Sequence, residues 1–162
     1  MRLVDFPSGA SLFIDANCLL YHFLDSHPSC TYTLHRSELG EIRTFTSLPV
    51  LAEVRHRLMV LEASSRFGLP PRKVLAYLKR HSDRIKLLRT AVEAVESLNL
   101  LRVEVLVPST EIFLASQRIG EECGLLTIDA LTVAIMRARH LVHLASNDND
   151  FARVPGLTLW RP

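Results

Sequence analysis

Leu12-Phe13-Ile14-Asp15 is a short apolar run that ends in a carboxylate. The apolar residues that follow it at helical spacing are Leu19, Leu20, Phe23 and Leu24. Continuous apolarity is typical of a parallel strand that is covered on both faces. The stretch therefore predicts a buried strand with a helix directly after it. Asp15 needs a partner, because an unpaired acid at the end of a buried strand is costly.

The rest of the chain repeats this alternation of strands and helices. Further strands are predicted over 42–46, 102–107, 141–145 and 157–160, and further helices over 31–39, 48–61, 70–81, 82–98, 110–123 and 127–139. Ser47 is expected to cap the second of these helices, because its hydroxyl suits the N-cap position. The order predicts a mostly parallel sheet with helices on both faces, and the last strand is expected at its edge.

The length and composition fit one globular domain over residues 1–162, with a helical segment at about 64–100. Hydrophobic residues make up 48% and charged residues 22%, which excludes disordered and collagen-like classes. The net charge of +2 neither establishes nor excludes nucleic-acid binding. Three scattered cysteines favour a reducing cytoplasm, and no apolar run reaches the roughly 18 residues that a membrane span needs. We therefore expect a cytoplasmic protein with no membrane association.

Four acids occupy strand ends or helix starts: Asp15, Glu53, Asp129 and Asp148. In open parallel sheets these places share one edge, where ligands bind. Carboxylates that meet in one cleft repel each other, so that some must protonate or a cation must bind. Mg²⁺ suits such oxygen ligands, and a bound dication lowers the pKa of water and stabilises charge on a phosphoryl group. Together the acids favour a metal cluster.

Each acid also has a simpler interpretation when it is taken alone. Asp148 and Asp150 suit Asx turns or N-caps, a common use of short acidic side chains. Asp129 suits the N-terminal end of its helix, where it complements the helix dipole. Glu53 suits a solvated helix face. Only Asp15 resists such an interpretation.

Four sequence motifs carry these acids in order. They are Phe13-Ile14-Asp15-Ala16-Asn17, then the segments 46–54, 124–134 and 144–151, which contain Glu53, Asp129 and Asp148. In this order and spacing they resemble the motifs of the PIN domain family of nucleases, across nearly the whole chain. The Pro155-Gly156-Leu157 turn and the last strand also fit the family.

The resemblance implies a fold, an activity and partners. The fold is a three-layer α/β/α sandwich with a central, mostly parallel sheet. The activity is Mg²⁺- or Mn²⁺-dependent cleavage of RNA, often by a homodimer. Many small members are toxins that pair with a protein antitoxin in bacteria and archaea. We therefore expect an endoribonuclease toxin with an RNA substrate, an antitoxin partner and a homodimeric assembly.

The resemblance also implies roles for individual residues. The catalytic, metal-binding acids become Asp15, Glu53, Asp129 and Asp148, and Asp150 shares or replaces the role of Asp148. Asn17, Ser47 and Ser146 become polar helpers that contact the substrate or the acids. Ser146 stands where many members have Thr, a change that keeps the hydroxyl.

Basic side chains supply candidate contacts to the RNA backbone. Arg55 and Arg57 lie near Glu53, and we expect them on the other faces of its helix. A second basic set comprises Arg72, Lys73, Lys79, Arg80, Arg84, Lys86 and Arg89. Both sets suit a surface that follows phosphates, and both suit solvated helix faces whose alkyl stems pack along the protein.

Three alternative functions remain beside the toxin nuclease. The first is a PIN-type RNA-processing nuclease outside any toxin system. The second is a PIN-like scaffold that binds RNA or protein without cutting; it requires a broken acidic cluster, and all four acids are present. The third is a phosphoacceptor receiver domain, which requires a Lys at the end of a late strand. The late strand here ends in Ala145-Ser146, which disfavours that class.

Overall fold

Five parallel strands form the central sheet of the computed structural model, which describes residues 1–162. The strands are β1 Ser11–Ile14, β2 Arg43–Ser47, β3 Val103–Leu106, β4 His143–Ala145 and β5 Thr158–Trp160. They lie in the order β3-β2-β1-β4-β5, and every neighbouring pair is parallel. The predicted parallel sheet is confirmed, and β5 is an edge strand as expected. All carboxyl ends therefore share one edge of the sheet.

Seven α-helices connect and flank the strands. They are α1 Ala16–Phe23, α2 Pro28–Glu38, α3 Leu48–Phe67, α4 Pro71–Arg80, α5 Thr90–Ser97, α6 Thr110–Cys123 and α7 Thr127–Ala138. Consecutive residues Leu12, Phe13 and Ile14 of β1 are all buried, so both faces of the central strand are covered. This confirms the α/β/α layering. No helix is both long and apolar enough to cross a membrane.

Local sequence signals explain where the long helix α3 begins and ends. The Ser47 hydroxyl accepts a hydrogen bond from the Val50 amide (3.4 Å), as an N-cap does, and Pro49 lies in the first turn. Gly68 follows α3 with φ of +63°, a left-handed conformation that glycine adopts without steric cost. These signals start α3 directly at the end of β2, which places Glu53 in the second helical turn above the sheet edge.

A second hydrophobic cluster stabilises the helical segment between α3 and β3. Its buried members are Ala63, Val74, Leu78 and Leu88, and it is separate from the main core around the sheet. The cluster lies between the second half of α3 and α4. The segment therefore packs on its own small core.

The prediction of one helix over 82–98 is wrong. Residues Ser82–Leu87 form a 3-10 turn, and α5 begins only at Thr90. The Glu62 carboxylate accepts hydrogen bonds from the amides of Arg89 (3.1 Å) and Thr90 (3.0 Å). These contacts fix a new helix start at Thr90, because they satisfy amides that a continuous helix would bond to preceding carbonyls.

Candidate active site

Asp15 lies at the carboxyl end of β1 and at the N-cap position of α1. Only 9% of the residue is exposed, and hydrogen bonds to its carboxylate offset part of the cost of that burial. Its Oδ2 accepts hydrogen bonds from Asn17 Nδ2 (2.7 Å) and from Ser146 Oγ (2.7 Å). The Ala16 backbone amide also donates to the carboxylate. The sequence predicted that the buried Asp15 carboxylate needs a partner, and these hydrogen-bond donors are that partner.

Ser146 joins two strand ends across the sheet edge. It follows β4, which pairs with β1 through Ile14 and Ala145, and it is completely buried. Its hydroxyl donates to Asp15 and accepts from Asn17 Nδ2 (2.9 Å) and from the Asp148 amide (3.1 Å). All the hydrogen-bonding capacity of this hydroxyl is therefore used.

Asn17 connects Asp15 to the loop after β4. While its Nδ2 group donates to Asp15 and Ser146, its Oδ1 accepts from the Asn147 amide (3.0 Å) and from Cys18 Sγ (3.3 Å). The side chain of Asn17 thereby fixes the first residues of that loop. Its position fits the polar helper role that the sequence suggested, acting through Asp15.

The remaining acids lie close enough to affect one another electrostatically. Partial burial raises the pKa of Asp129 to about 6, and the negative charges of the other acids add to the increase. In order of effect those acids are Asp15, Asp148, Glu53 and Asp150. Burial likewise raises the pKa of Asp15, assisted by Glu53 and Asp148 and opposed by the hydrogen bond from Ser146. The four predicted acids therefore meet in one region of negative potential.

Asp148 and Asp150 differ in their surroundings. Asp148 Oδ1 accepts a hydrogen bond from the Asp150 amide (2.8 Å), so Asp148 also makes the Asx-type turn that its position suggested. The Asp150 carboxylate is ion-paired with Arg153 Nη2 at 2.5 Å. Of the two, only Asp148 raises the pKa of Asp15. Its effect on Asp15, together with the ion pair that occupies Asp150, favours Asp148 as the fourth acid of the cluster.

Glu53 forms an ion pair with Arg57, which the sequence analysis had placed on another face of the helix. Its Oε1 lies 3.1 Å from Arg57 Nε, four residues further along α3, so Arg57 shares its face of the helix and does not lie on another. Arg55 is exposed and pairs with no acid. The side-chain hydrogen bond of Ser47 is to the backbone of α3, so Ser47 acts on Glu53 through the helix that it caps.

The donor set suits a hard dication, although no preformed metal cage exists. No group of three or more His, Cys, Asp or Glu side chains is arranged to hold a metal ion. Mg²⁺ needs only one or two direct carboxylates and keeps several waters, and Mn²⁺ accepts the same oxygen ligands. A dication would compensate both the burial of Asp129 and the repulsion from the neighbouring acids, which together raise its pKa. The residues present therefore fit such an ion.

Two contacts of the site were missed at the sequence level. The Asn147 amide binds Asn17, and Asn147 Nδ2 donates to the Tyr21 hydroxyl (3.1 Å). The available signal was helical spacing, because Tyr21 lies four residues after Asn17 and therefore on the same face of α1. Tyr21 and Asn17 together hold the loop that carries Asp148.

Comparisons with known proteins agree with this architecture. A search of the curated proteins gives no significant match to the chain. Among solved structures, the DNA-bound VapBC2 complex of Rickettsia felis is 17% identical, with a TM-score of 0.59, and the match covers 93% of this chain and 98% of that one. VapC20 of Mycobacterium tuberculosis, a sarcin-ricin loop cleaving toxin, is 17% identical, with a TM-score of 0.58 and coverage of 87% and 92%.

A third structure, DNA-bound VapBC of Salmonella typhimurium, is 18% identical, with a TM-score of 0.57 and coverage of 94% and 98%. At these identities the likeness establishes the fold alone. The family model of the PIN domain matches residues 12–157, which include all four acids and the strands that carry them to one edge. Since that match spans most of the sequence, the chain belongs to the PIN domain family.

Proposed function

We propose that the protein is a Mg²⁺- or Mn²⁺-dependent endoribonuclease that hydrolyses RNA phosphodiester bonds as the toxin of a type II toxin–antitoxin pair. The observation that carries this proposal is the convergence of Asp15, Glu53, Asp129 and Asp148 at the carboxyl edge of the sheet, where burial, assisted by the charges of the neighbouring acids, raises the pKa of Asp129 to about 6. Membership of the PIN domain family supports the same chemistry.

The residues of the chain divide the proposed chemistry between them. A bound dication supplies Lewis acidity and neutralises charge on the reacting phosphate. Asp15, Glu53, Asp129 and Asp148 are the groups that would hold it. Ser146 and Asn17 fix the Asp15 carboxylate by hydrogen bonds to Oδ2. Asp129 releases its proton near pH 6, so it is ionised and ready to bind at neutral pH.

The toxin role rests on the structural neighbours. Two of them are VapBC complexes bound to DNA, and a third is described as a toxin–antitoxin complex from Klebsiella pneumoniae. They support an antitoxin protein as the partner of this chain. An RNA-processing nuclease outside any toxin system is the alternative with the same active site. A scaffold that binds RNA or protein without cutting RNA is the alternative that has no catalytic activity.

A homodimer is the assembly that we propose. The surface of α6 and the start of α7 expose several large apolar side chains, and exposed apolar patches often mark interfaces between proteins. These side chains belong to Phe113, Leu114 and Ile128, and Val107 and Leu126 are also exposed in the loops that precede the two helices. The mass in solution, measured by light scattering, tests the assembly, and a monomer at micromolar concentration would contradict it.

The nuclease activity is tested by cleavage of labelled RNA with Mn²⁺, Mg²⁺ or EDTA. Asp15→Asn and Asp129→Asn are each expected to lower the cleavage rate by about 100-fold or more, because they remove charge from the proposed metal site. Asp5→Asn is the matched control, since Asp5 is exposed, pairs with Arg2 and is not among the acids that raise the pKa of Asp129 or Asp15. Undiminished cleavage in EDTA, or by the Asp15 and Asp129 variants, would refute the proposal.

The toxin role needs a separate experiment in cells. Expression of the wild type is expected to arrest growth, while Asp129→Asn is not. Coexpression of the product of a small neighbouring gene, encoding a DNA-binding antitoxin, is expected to relieve the arrest. Growth that continues despite active nuclease in the extract would exclude the toxin role and leave the nuclease chemistry intact.

A further inference from the structure

Residues 71–89, which we call the basic arm, carry an unusual share of the positive charge. They contain seven of the 19 Lys and Arg residues of the chain and one of its 17 Asp and Glu residues. The arm thus has a formal charge of +6, whereas the whole chain has +2, which leaves −4 for all other residues. This asymmetry separates a cationic surface from the acidic remainder of the protein.

The cations of α4 form one face of the helix. At 100° per residue, Arg72, Lys73, Lys79 and Arg80 fall within an arc of about 120°. The buried residues Val74 and Leu78 lie on the opposite side, where they pack on α3. The cationic face therefore points away from the protein over two helical turns.

Most of these cations have no acidic partner. Arg84 pairs with Asp83 (3.5 Å), and Arg89 pairs with Glu93 (3.9 Å). No ion pair or side-chain hydrogen bond involves the other five, which are all exposed: Arg72, Lys73, Lys79, Arg80 and Lys86. Their charges are consequently free to bind an external anion.

The arm is held firmly against α3. Beyond the small core around Ala63, Val74 and Leu78, Arg66 Nη1 donates to the Leu87 carbonyl (2.9 Å). Ser64 Oγ donates to the Leu69 carbonyl (2.5 Å) at the turn that leads into α4. A fixed array of charges loses less conformational entropy on binding than a flexible tail does.

The position of the arm relates it to the acidic cluster through a single helix. Helix α3 carries Glu53 in its second turn. Ten residues later it carries Ala63, which packs against Val74 and Leu78 of α4. At 1.5 Å per residue the two positions are about 15 Å apart along the helix axis. A strand cut at the acidic cluster therefore needs to extend by only a few nucleotides to reach the arm.

We propose that the basic arm is a second RNA-contact surface, which binds backbone phosphates of the substrate away from the scissile bond. The inference rests on the proposed ribonuclease function and adds a binding site to it. RNA is favoured over an acidic protein because Ala76 is the only apolar residue within the arc of α4 that the four cations occupy, and the exposed apolar residues Leu75, Ile85 and Leu87 lie outside that arc. Protein interfaces depend on buried apolar or aromatic anchors and are depleted of charge at their centre.

The test compares two triple variants that each remove three exposed, unpaired cations. Lys73→Gln/Lys79→Gln/Arg80→Gln alters the arm, and Arg43→Gln/Arg118→Gln/Arg137→Gln is the control. Binding of a fluorescent single-stranded 20-mer RNA is measured in EDTA, in an Asp129→Asn background, at several salt concentrations. The arm variant is expected to lower the slope of log affinity against log salt by about 2, because each phosphate contact contributes about 0.7. The control is expected to keep the slope.

Steady-state cleavage by the same triple variants, with Asp129 intact, separates binding from chemistry. The arm variant is expected to raise KM about tenfold or more and to leave kcat unchanged, as loss of uniform binding does. An unchanged slope and KM would overturn the arm as an RNA site and leave the nuclease standing. Loss of binding to a coexpressed acidic protein, with RNA binding intact, would also overturn it. Salt-dependent RNA binding through the arm without any cleavage would support the arm and refute the nuclease.

Discussion

The Ser146 hydroxyl donates a hydrogen bond to Asp15 Oδ2 over 2.7 Å and so joins two side chains that are 131 positions apart in the chain. Asn17 donates to the same oxygen and to the same hydroxyl, which closes a triangle of side chains. The Asp148 amide donates to Ser146 from the next loop. One buried hydroxyl therefore determines both the orientation of Asp15 and the start of the loop that bears Asp148.

Ser146→Ala is expected to destabilise the protein by about 1–3 kcal/mol, because it leaves buried polar partners of the hydroxyl unsatisfied. It is also expected to weaken the response of the protein to Mn²⁺, since Asp15 loses a contact that orients it. Urea unfolding with and without Mn²⁺ measures both effects.

Ser116→Ala is the matched control for that variant. Ser116 is also buried, and its hydroxyl donates to the Phe113 carbonyl (2.6 Å) within α6. This control is expected to change stability without changing the stabilisation that Mn²⁺ provides. Equal Mn²⁺ responses in the two variants would show that Ser146 does not orient the acidic cluster.

Mn²⁺ or Mg²⁺ is expected to raise the melting temperature of the wild type. An ion that binds only the folded state stabilises it by about 1.4 kcal/mol at tenfold excess over its Kd. Asp15→Asn and Asp129→Asn are expected to abolish most of this shift. Differential scanning fluorimetry from 0.1 to 10 mM metal makes the measurement, and a shift of the same size in both variants would place the ion elsewhere.

Arg57→Gln is expected to strengthen metal binding about twofold, because an exposed pair of this spacing holds Glu53 by about 0.3–0.5 kcal/mol. Removal of the cation leaves Glu53 free to face the ion. Arg55→Gln serves as the control, since Arg55 lies on the same helix without an acidic partner. Calorimetric titration with Mn²⁺ compares them. Equal affinities in the two variants would mean that the ion does not engage Glu53.

Asp129 is expected to give stability a distinctive pH dependence in EDTA. Its pKa is about 6 in the folded protein against 3.8 ordinarily, so between these values the folded state binds more protons than the unfolded state. The free energy of unfolding contributed by Asp129 therefore falls as the pH rises from about 4 to 6. The Asp129→Asn variant does not lose this contribution to the free energy of unfolding, because its side chain does not titrate. The stability difference between variant and wild type, measured by urea unfolding, should grow over that range; a constant difference would argue against the raised pKa.

The sequence was sufficient to predict the sheet and the meeting of the acids for a physical reason. A continuous apolar run such as Leu12–Ile14 requires cover on both faces, and parallel strands then place the following acids at one edge. The start of α3 was equally local, since the Ser47 hydroxyl caps that helix. These features depend on neighbours in sequence.

Features that depend on distant contacts were not predicted. The hydrogen bond between Asn147 and Tyr21 joins residues 126 positions apart. Helical spacing places Tyr21 on the same face of α1 as Asn17, but it does not identify Asn147 as their partner. The interruption of the predicted 82–98 helix at residues 88–89 also depends on a distant contact. Glu62 of α3 caps the start of α5 from 27 and 28 residues away. Only the assembled fold brings this carboxylate to the amides of Arg89 and Thr90.

Glu62→Ala is expected to destabilise the protein by about 1–2 kcal/mol, since it removes the acceptor for both amides at the start of α5. The adjoining arm should also become more open to limited proteolysis after its Lys and Arg residues. Glu96→Ala is the control, because Glu96 is an exposed residue of α5. The stability of this variant should stay within about 0.5 kcal/mol of that of the wild type. Equal stability and equal proteolysis of the two variants would show that the contacts of Glu62 do not determine where α5 begins.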